Sequence, residues 1–274
     1  MNRVCERLCV ASAAIMLFLS VIGPASAQDG ATVDPDRPTV LVTGANRGIG
    51  LAFAEHYVEE GWNVLAAVRT PERASDLAAL ASGYDHLVIE QLDVTDDARI
   101  ADLADTYRDT PIDVLINNAG VYGDVDTQSW GSLNSTTFEQ VMAVNVFAPM
   151  KLAEAFADHV AASDQKKIVS ITSGAGVVSR AGRPGGGIFY STSKAALNKA
   201  MRQISAEVSD DGIIVALIAP GIVATDMLSV ARPGLVAQAK TPAEAAAGIA
   251  DVIAGLDESY DGRPRNYDGS VIPW

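Results

Sequence analysis

The sequence predicts an α/β protein, a doubly wound parallel sheet of about seven strands with helices on both faces. Two observations carry this expectation. Short apolar strands alternate with helices throughout the chain, an order that calls for a parallel sheet covered on both sides. Each glycine-, asparagine- or hydroxyl-bearing motif falls just after a strand, where ligands bind in such sheets.

The elements follow in order. Thr39–Val42 is a short apolar strand, and Gly44–Gly50 opens a helix that runs to about Glu60, where Gly61 stops it. Trp62–Val68 is a second strand, followed by a helix over Pro71–Ala81. His86–Leu92 gives the third strand, Thr95–Tyr107 a helix, and Val114–Asn117 the fourth strand. A long helix, Phe138–Ala161, precedes a strand at Lys167–Thr172. A helix bearing Tyr190 runs to about Val208, and Ile213–Ile218 is the sixth strand. A helix over Pro242–Ala254 leads to a last strand near Ser270–Ile272.

The chain has 274 residues, a net charge of −14 and 49% hydrophobic residues, which suits one globular domain with a substantial core. The acidic balance speaks against nucleic acid as a partner, since Lys and Arg are neither abundant nor clustered. The N-terminus stands apart. Arg3 and Arg7 precede the apolar run Val10–Ile22, and Pro24-Ala25-Ser26-Ala27 ends in an A-x-A pattern. That is the pattern of a secretory signal, residues 1–27, cleaved after Ala27. It implies an exported or periplasmic protein with no stable membrane span after processing; a misassigned start would leave the protein cytoplasmic. Residues 28–37, with Pro35 among acids, read as a linker into a domain over 38–274. Both cysteines, Cys5 and Cys9, lie in the segment predicted to be removed, so the mature chain has no disulfide framework. His56, His86 and His159 are scattered without metal-ligand spacing, and no metal is expected.

Thr43-Gly44-Ala45-Asn46-Arg47-Gly48-Ile49-Gly50 follows the first strand and begins the first helix. Glycines there permit a tight turn and let a pyrophosphate approach backbone N–H groups at the positive end of a helix. The spacing is G-x-x-x-G-x-G. The end of the second strand reads the ribose of such a ligand: an acid bonds a 2′-hydroxyl, an arginine a 2′-phosphate. Ala66–Thr70 holds no acid, and Arg69 stands at the turn with Arg47 as a second cation, so NADP(H) is expected over NAD(H). Asp93, ending strand three with Val94 after it, is expected to accept from an adenine amino group. Asn118, Ala119 and Gly120, past strand four, are expected to admit the cofactor, with plain turn chemistry as the alternative at each site.

Tyr190 and Lys194, four residues apart in F-Y-S-T-S-K, lie on one face of a helix, about 5–6 Å apart at Cβ. An ammonium beside a phenol favours phenolate, so the tyrosine pKa is expected to fall, as acid–base chemistry at a carbonyl or alcohol requires.

With these segments in order, the chain resembles the short-chain dehydrogenase/reductase family over about Thr39–Trp274. T-G-A-N-R-G-I-G, N-N-A-G, V-N-V-F, I-T-S, Y-S-T-S-K and A-P-G-I-V-A-T-D-M occur in the family's order. The T-D-M segment and the ending Y-D-G-S-V-I-P-W look most like the carbonyl reductases related to sniffer and C-factor. The resemblance implies a single-domain Rossmann fold and a tetrad. Tyr190 would donate the proton in reduction. Lys194 would hold the nicotinamide ribose and depress the tyrosine pKa, Ser173 would polarise the substrate carbonyl, and Asn145 would anchor a water linking Lys194 to solvent. Pro220, Gly221, Ile222 and Thr225 would close over the nicotinamide, with Ile222 backbone and the Thr225 hydroxyl near its carboxamide. The spacing from Ser173 to Tyr190 is long, which leaves Thr172 and Ser170 open as the working hydroxyl.

These readings converge on an oxidoreductase passing a hydride between NADP(H) and a small or medium carbonyl or secondary alcohol. The rival is a dinucleotide-binding sensor with idle chemistry. A sugar-nucleotide epimerase fits poorly, since no large substrate domain follows. Substrate walls are expected from Val121–Thr137, Gly174–Phe189 and Met227–Lys240, whose mixed composition names no substrate. The long helix and the Tyr190 helix either pair with those of a second copy, making a homo-oligomer, or simply cover the sheet.

Overall fold

Seven strands, hydrogen-bonded side by side in the order β3-β2-β1-β4-β5-β6-β7, make a single sheet in which every strand pairing is parallel. The structure, a computed structural model, describes residues 33–180, 182 and 187–273. The signal expected over 1–27, residues 28–32 of the linker, Gly185, Gly186 and Trp274 lie outside the described residues. The strands are β1 (Thr39–Thr43), β2 (Asn63–Val68), β3 (Leu87–Gln91), β4 (Val114–Asn117), β5 (Lys167–Ile171), β6 (Ile214–Ala219) and β7 (Arg265–Asn266). The helices are α1 (Gly48–Glu59), α2 (Ser75–Ala81), α3 (Asp97–Thr106), α4 (Ser135–Met142), α5 (Ala148–Ala161), α6 (Ile188–Glu207), α7 (Asp226–Ala231) and α8 (Pro242–Ala254).

Alternation along each strand sends neighbouring side chains to opposite faces. Val40, Val42, Val64, Ala66, Ile116 and Val169 pack under α1, α2 and α8 against Phe53, Leu77 and Ile249. Leu41, Leu65, Leu115, Ile168 and Leu217 pack on the other face against α3, α5 and α6, through Ile100, Phe156 and Leu197. Both faces are therefore dry, which is why the strands read as unbroken apolar runs. The register is fixed centrally, with Val40 opposite Val64 in β2 and Val114 in β4.

Three elements differ from expectation. The long helix starts at Ser135 and is divided by a wide π turn over Ala143–Phe147, which inserts an extra residue between α4 and α5 and turns Asn145 into the interior. The helix expected from Pro71 begins at Ser75, because Pro71–Arg73 forms its own tight 3-10 turn. The last strand is Arg265–Asn266, not Ser270–Ile272. Gly269, at φ +80, folds the apolar Val271 back antiparallel onto Arg265, so the greasier segment is the return of a hairpin. Residues 33–37, at the end of the expected linker, are pinned down: the Asn63 side chain donates to the backbone oxygens of Asp34 and Arg37 at 2.8 and 3.2 Å.

Candidate active site

After β1 the chain turns toward α1, β2 and β3; after β4 it turns toward α5 and β5. The strand order reverses between β1 and β4, and a cleft of ≈ 2100 Å³ opens beyond their carboxyl ends. That is larger than a drug-sized pocket of roughly 300–1,000 Å³ and suits a long ligand.

Gly44, Asn46, Arg47, Gly48, Ile49 and Gly50 all line this cleft. Gly44 sits at φ +68, a conformation open to glycine at little cost. A Cβ on Gly50 would lie 2.1 Å from the Gly44 carbonyl oxygen and 2.6 Å from Asn118 Nδ2, so the turn is wound too tightly for any side chain there. Helix α1 begins at Gly48 with no capping side chain and no acid in its first turn. Its first N–H groups are thus left for an anion at the positive end of the helix. Across the reversal, Thr43 ties the two halves together. Its Oγ1 accepts from the N–H groups of Asn118 and Ala119, both at 3.1 Å, and Asn118 Nδ2 donates to the Thr43 carbonyl at 2.9 Å. Ala119 and Gly120 continue the wall.

Arg69 lies exposed at the end of β2, and Arg73, which the sequence reading passed over, lines the same end of the cleft. Its signal was there, four residues beyond Arg69 across the Pro71 turn. Among the described residues neither guanidinium is ion-paired. Arg47 differs: its Nη1 meets Asp226 Oδ2 at 3.0 Å across the mouth of the cleft, so the second expected phosphate cation is engaged elsewhere. Asp93 and Val94 line the cleft past β3, with one Asp93 oxygen accepting from the Thr95 hydroxyl at 2.7 Å.

The reactive side chains gather at the other end. Helix α6 presents Tyr190 and Lys194 one turn apart, with Lys194 Nζ 5.9 Å from the centre of the phenol ring. The Ser173 hydroxyl, just past β5, lies close enough to the Tyr190 phenol to favour its charged form, and accepts from the Ala175 N–H at 3.1 Å. The two alternatives are occupied: Thr172 Oγ1 donates to Asn198 Oδ1 at 2.5 Å, and Ser170 is fully buried and accepts from Asn117 Nδ2 at 3.3 Å. Lys194 Nζ donates to the Ile171 carbonyl at 2.9 Å. Asn145 lies one layer behind the wall, exchanging hydrogen bonds of 2.8 Å with the backbone of Val121 and donating to Ser193 Oγ at 3.0 Å.

The electrostatics correct one expectation. Burial pushes the Tyr190 phenol up from its ordinary value, against the nearby Ser173 hydroxyl and the Arg232 charge, which favour phenolate; Tyr122 adds to the rise. Lys194 is not among the groups that lower it, and burial pushes that amine itself down to about 8. The phenol is accordingly held protonated at neutral pH. Tyr122, also unforeseen, stacks on Tyr190 with centroids 4.9 Å apart at 28°, and the buried Gln128 accepts from the Tyr190 N–H at 3.3 Å. Pro220, Gly221, Ile222 and Thr225 line the cleft after β6. The Thr225 hydroxyl accepts from the Leu228 N–H at 3.3 Å, which makes it the N-cap of α7.

Residues 38–235 match the sequence profile of the short chain dehydrogenase family. The chain belongs to that family. It is 36% identical to the protein FixR of Bradyrhizobium diazoefficiens over 207 residues, 73% of this chain and 72% of the relative. It is 32% identical to the C-signal of Myxococcus xanthus over 167 residues, 60% of this chain and 93% of that one. Among solved structures, the NADPH-bound carbonyl reductase from chicken fatty liver superposes with a TM-score of 0.78 at 32% identity, covering 87% of this chain and all of the other. The fold of this short-chain dehydrogenase thus superposes on that of a protein solved with NADPH bound.

Proposed function

We propose that this protein is an NADP(H)-dependent carbonyl reductase, with Tyr190 as its proton donor. The observation that carries the reading is the convergence of Ser173, Tyr190 and Lys194 at one end of a cleft whose other end is a glycine turn on an uncapped helix. The cofactor fit rests on that turn and on Arg69 and Arg73, two cations at the ribose end without ion-pair partners among the described residues. The NADPH held by the chicken-liver relative supports the same choice. When bound, the reduced dinucleotide supplies the hydride.

The chain's own residues do the rest. Ser173 and Tyr190 both donate to the carbonyl oxygen as negative charge grows there, which lowers the transition state more than the ground state. A phenol kept neutral by burial holds the proton that the nascent alkoxide takes. Lys194, charged below about pH 8, stands one helical turn away with its Nζ 5.9 Å from the centre of that ring. Asn145 braces the Val121 backbone and Ser193, and so fixes the wall on which α6 rests.

The test is the fall of NADPH absorbance against a panel of aldehydes and ketones. Turnover is expected, with Tyr190→Phe reducing it by roughly 10²–10⁴-fold while NADPH still binds. A second reading, a dinucleotide-binding signal or sensor, draws on the likeness to C-signal. Binding of NADPH with no turnover of any carbonyl, and no effect of Tyr190→Phe, would favour it. We also infer export of the mature protein from residues 1–27; mass spectrometry of the N-terminus on protein from its own host tests this, and an intact Met1 end would refute it.

A further inference from the structure

The end of the cleft beyond Tyr190 has a charge pattern at odds with the rest of the chain. The protein carries a net charge of −14, yet Arg180 and Arg232 both line the wall there. Arg180 sits in the turn after Ser173, its Nη1 3.0 Å from where a Cβ on Gly174, the residue after Ser173, would lie. Among the described residues no carboxylate pairs with the Arg180 guanidinium. Arg232 arrives from another segment, immediately after α7, close enough for its charge to act on the Tyr190 phenol. The carboxylates of the cleft wall lie elsewhere: Asp76 and Asp93 flank the β2–β3 end, and Asp226 is held by Arg47. Apolar side chains complete this end, with Trp130 91% and Val178 82% exposed and Leu235 beside them.

We propose that this end of the cleft selects carbonyl substrates bearing a carboxylate on an apolar body, with Arg180 and Arg232 as the anion-holding pair. A guanidinium fork matches the two oxygens of a carboxylate, and bonds between charged partners are about twice as strong as neutral ones. The long-range field of an acidic protein repels such a substrate, but only over about 8 Å at physiological salt, so local arginines decide the outcome at contact. The carboxylate takes no part in the bond changes: the carbonyl carbon gains a hydride from the reduced dinucleotide, the oxygen gains a proton from Tyr190, and an oxo acid becomes a hydroxy acid. The proposal rests on the carbonyl-reductase reading, and its test separates the two.

Calorimetric titration of the protein with NADP⁺ present compares 4-phenylbutyrate with its uncharged amide. The carboxylate is expected to bind at least about tenfold tighter, and Arg180→Gln with Arg232→Gln together to bring the ratio near one. In parallel, 4-formylbenzoate is expected to exceed its methyl ester in kcat/KM with NADPH by a similar factor, a ratio that also collapses in the double variant. Equal affinity for acid and amide, or a preference that survives the double variant, overturns the proposal. Acid and ester reduced equally well overturns it too, and leaves the reductase reading standing. A carboxylate preference without reduction of either aldehyde supports the anion site and refutes the reductase reading.

Discussion

Lys194→Met isolates what the buried amine costs the fold. Lys194 is 6% exposed, and burial lowers its pKa from 10.5 to about 8. At about 1.4 kcal/mol per pKa unit, keeping the ammonium charged at pH 7 costs the folded state on the order of 3 kcal/mol. The substitution removes that cost but orphans the Ile171 carbonyl, which accepts from Nζ at 2.9 Å, at a penalty of about 1–2 kcal/mol. Methionine's flexible thioether fills the stem's volume. The variant should therefore be more stable by about 1–2 kcal/mol at pH 7. The sign with pH follows from a folded pKa below the unfolded one. Between about 8 and 10.5 the unfolded chain binds the extra proton, so wild-type stability rises through that window while the variant lacks this contribution. By pH 10 the residual cost is below about 1 kcal/mol, and the order of the two proteins should reverse. Urea unfolding at pH 7 and pH 10 measures both gaps. A variant less stable than wild type at pH 7, or a gap unchanged with pH, would show that burial is not what sets the Lys194 charge.

Three further variants probe the cleft. Gly50→Ala puts a methyl 2.1 Å from the Gly44 carbonyl; it should cost roughly 1–3 kcal/mol in stability and weaken NADPH binding, read by thermal melts and fluorescence titration. Arg69→Gln with Arg73→Gln should erode the preference for NADPH over NADH by about 10–100-fold, and an unchanged ratio of the two affinities would refute their role at the 2′-phosphate. Asp226→Asn frees Arg47 from an exposed pair, with both side chains more than two-thirds open to solvent, so the unfolding midpoint should not move measurably.

The parts of the fold that were legible in the sequence are those where local chemistry and burial agree. Strands buried on both faces leave apolar runs, and the glycine turn leaves glycines, because no other residue fits between Gly44 and Asn118. Errors arose where tertiary partners decide. Val271 and Ile272 look more strand-like than Arg265 and Asn266, yet β6 pairs with the latter because the chain doubles back at Gly269. The π turn at Ala143–Phe147 has no sequence signature, although it sets the depth of Asn145. Arg73 had a signal in its spacing from Arg69. Tyr122, Gln128, Arg180 and Arg232 fall within the three segments expected to wall the substrate, but nothing singled them out there, since loops without periodicity bring them to the cleft. The Tyr190–Lys194 spacing was visible, but the direction of the tyrosine shift was not, since it depends on how much solvent the surroundings remove.

The short hairpin after β7 reaches further than its size suggests. The Tyr267 N–H donates to the Ala219 carbonyl at 2.9 Å, Lys240 Nζ stands 3.6 Å over the Tyr267 ring while donating to the Pro220 carbonyl, and a Cβ on Gly248 would strike the Tyr267 oxygen at 2.7 Å. One aromatic residue thus wedges α8 against the segment after β6 that walls the Tyr190 end of the cleft. Clipping the chain ahead of Arg265 would spare nearly all of the interior and still unseat that wall, so proteolytic trimming at this end would silence such a protein without unfolding it.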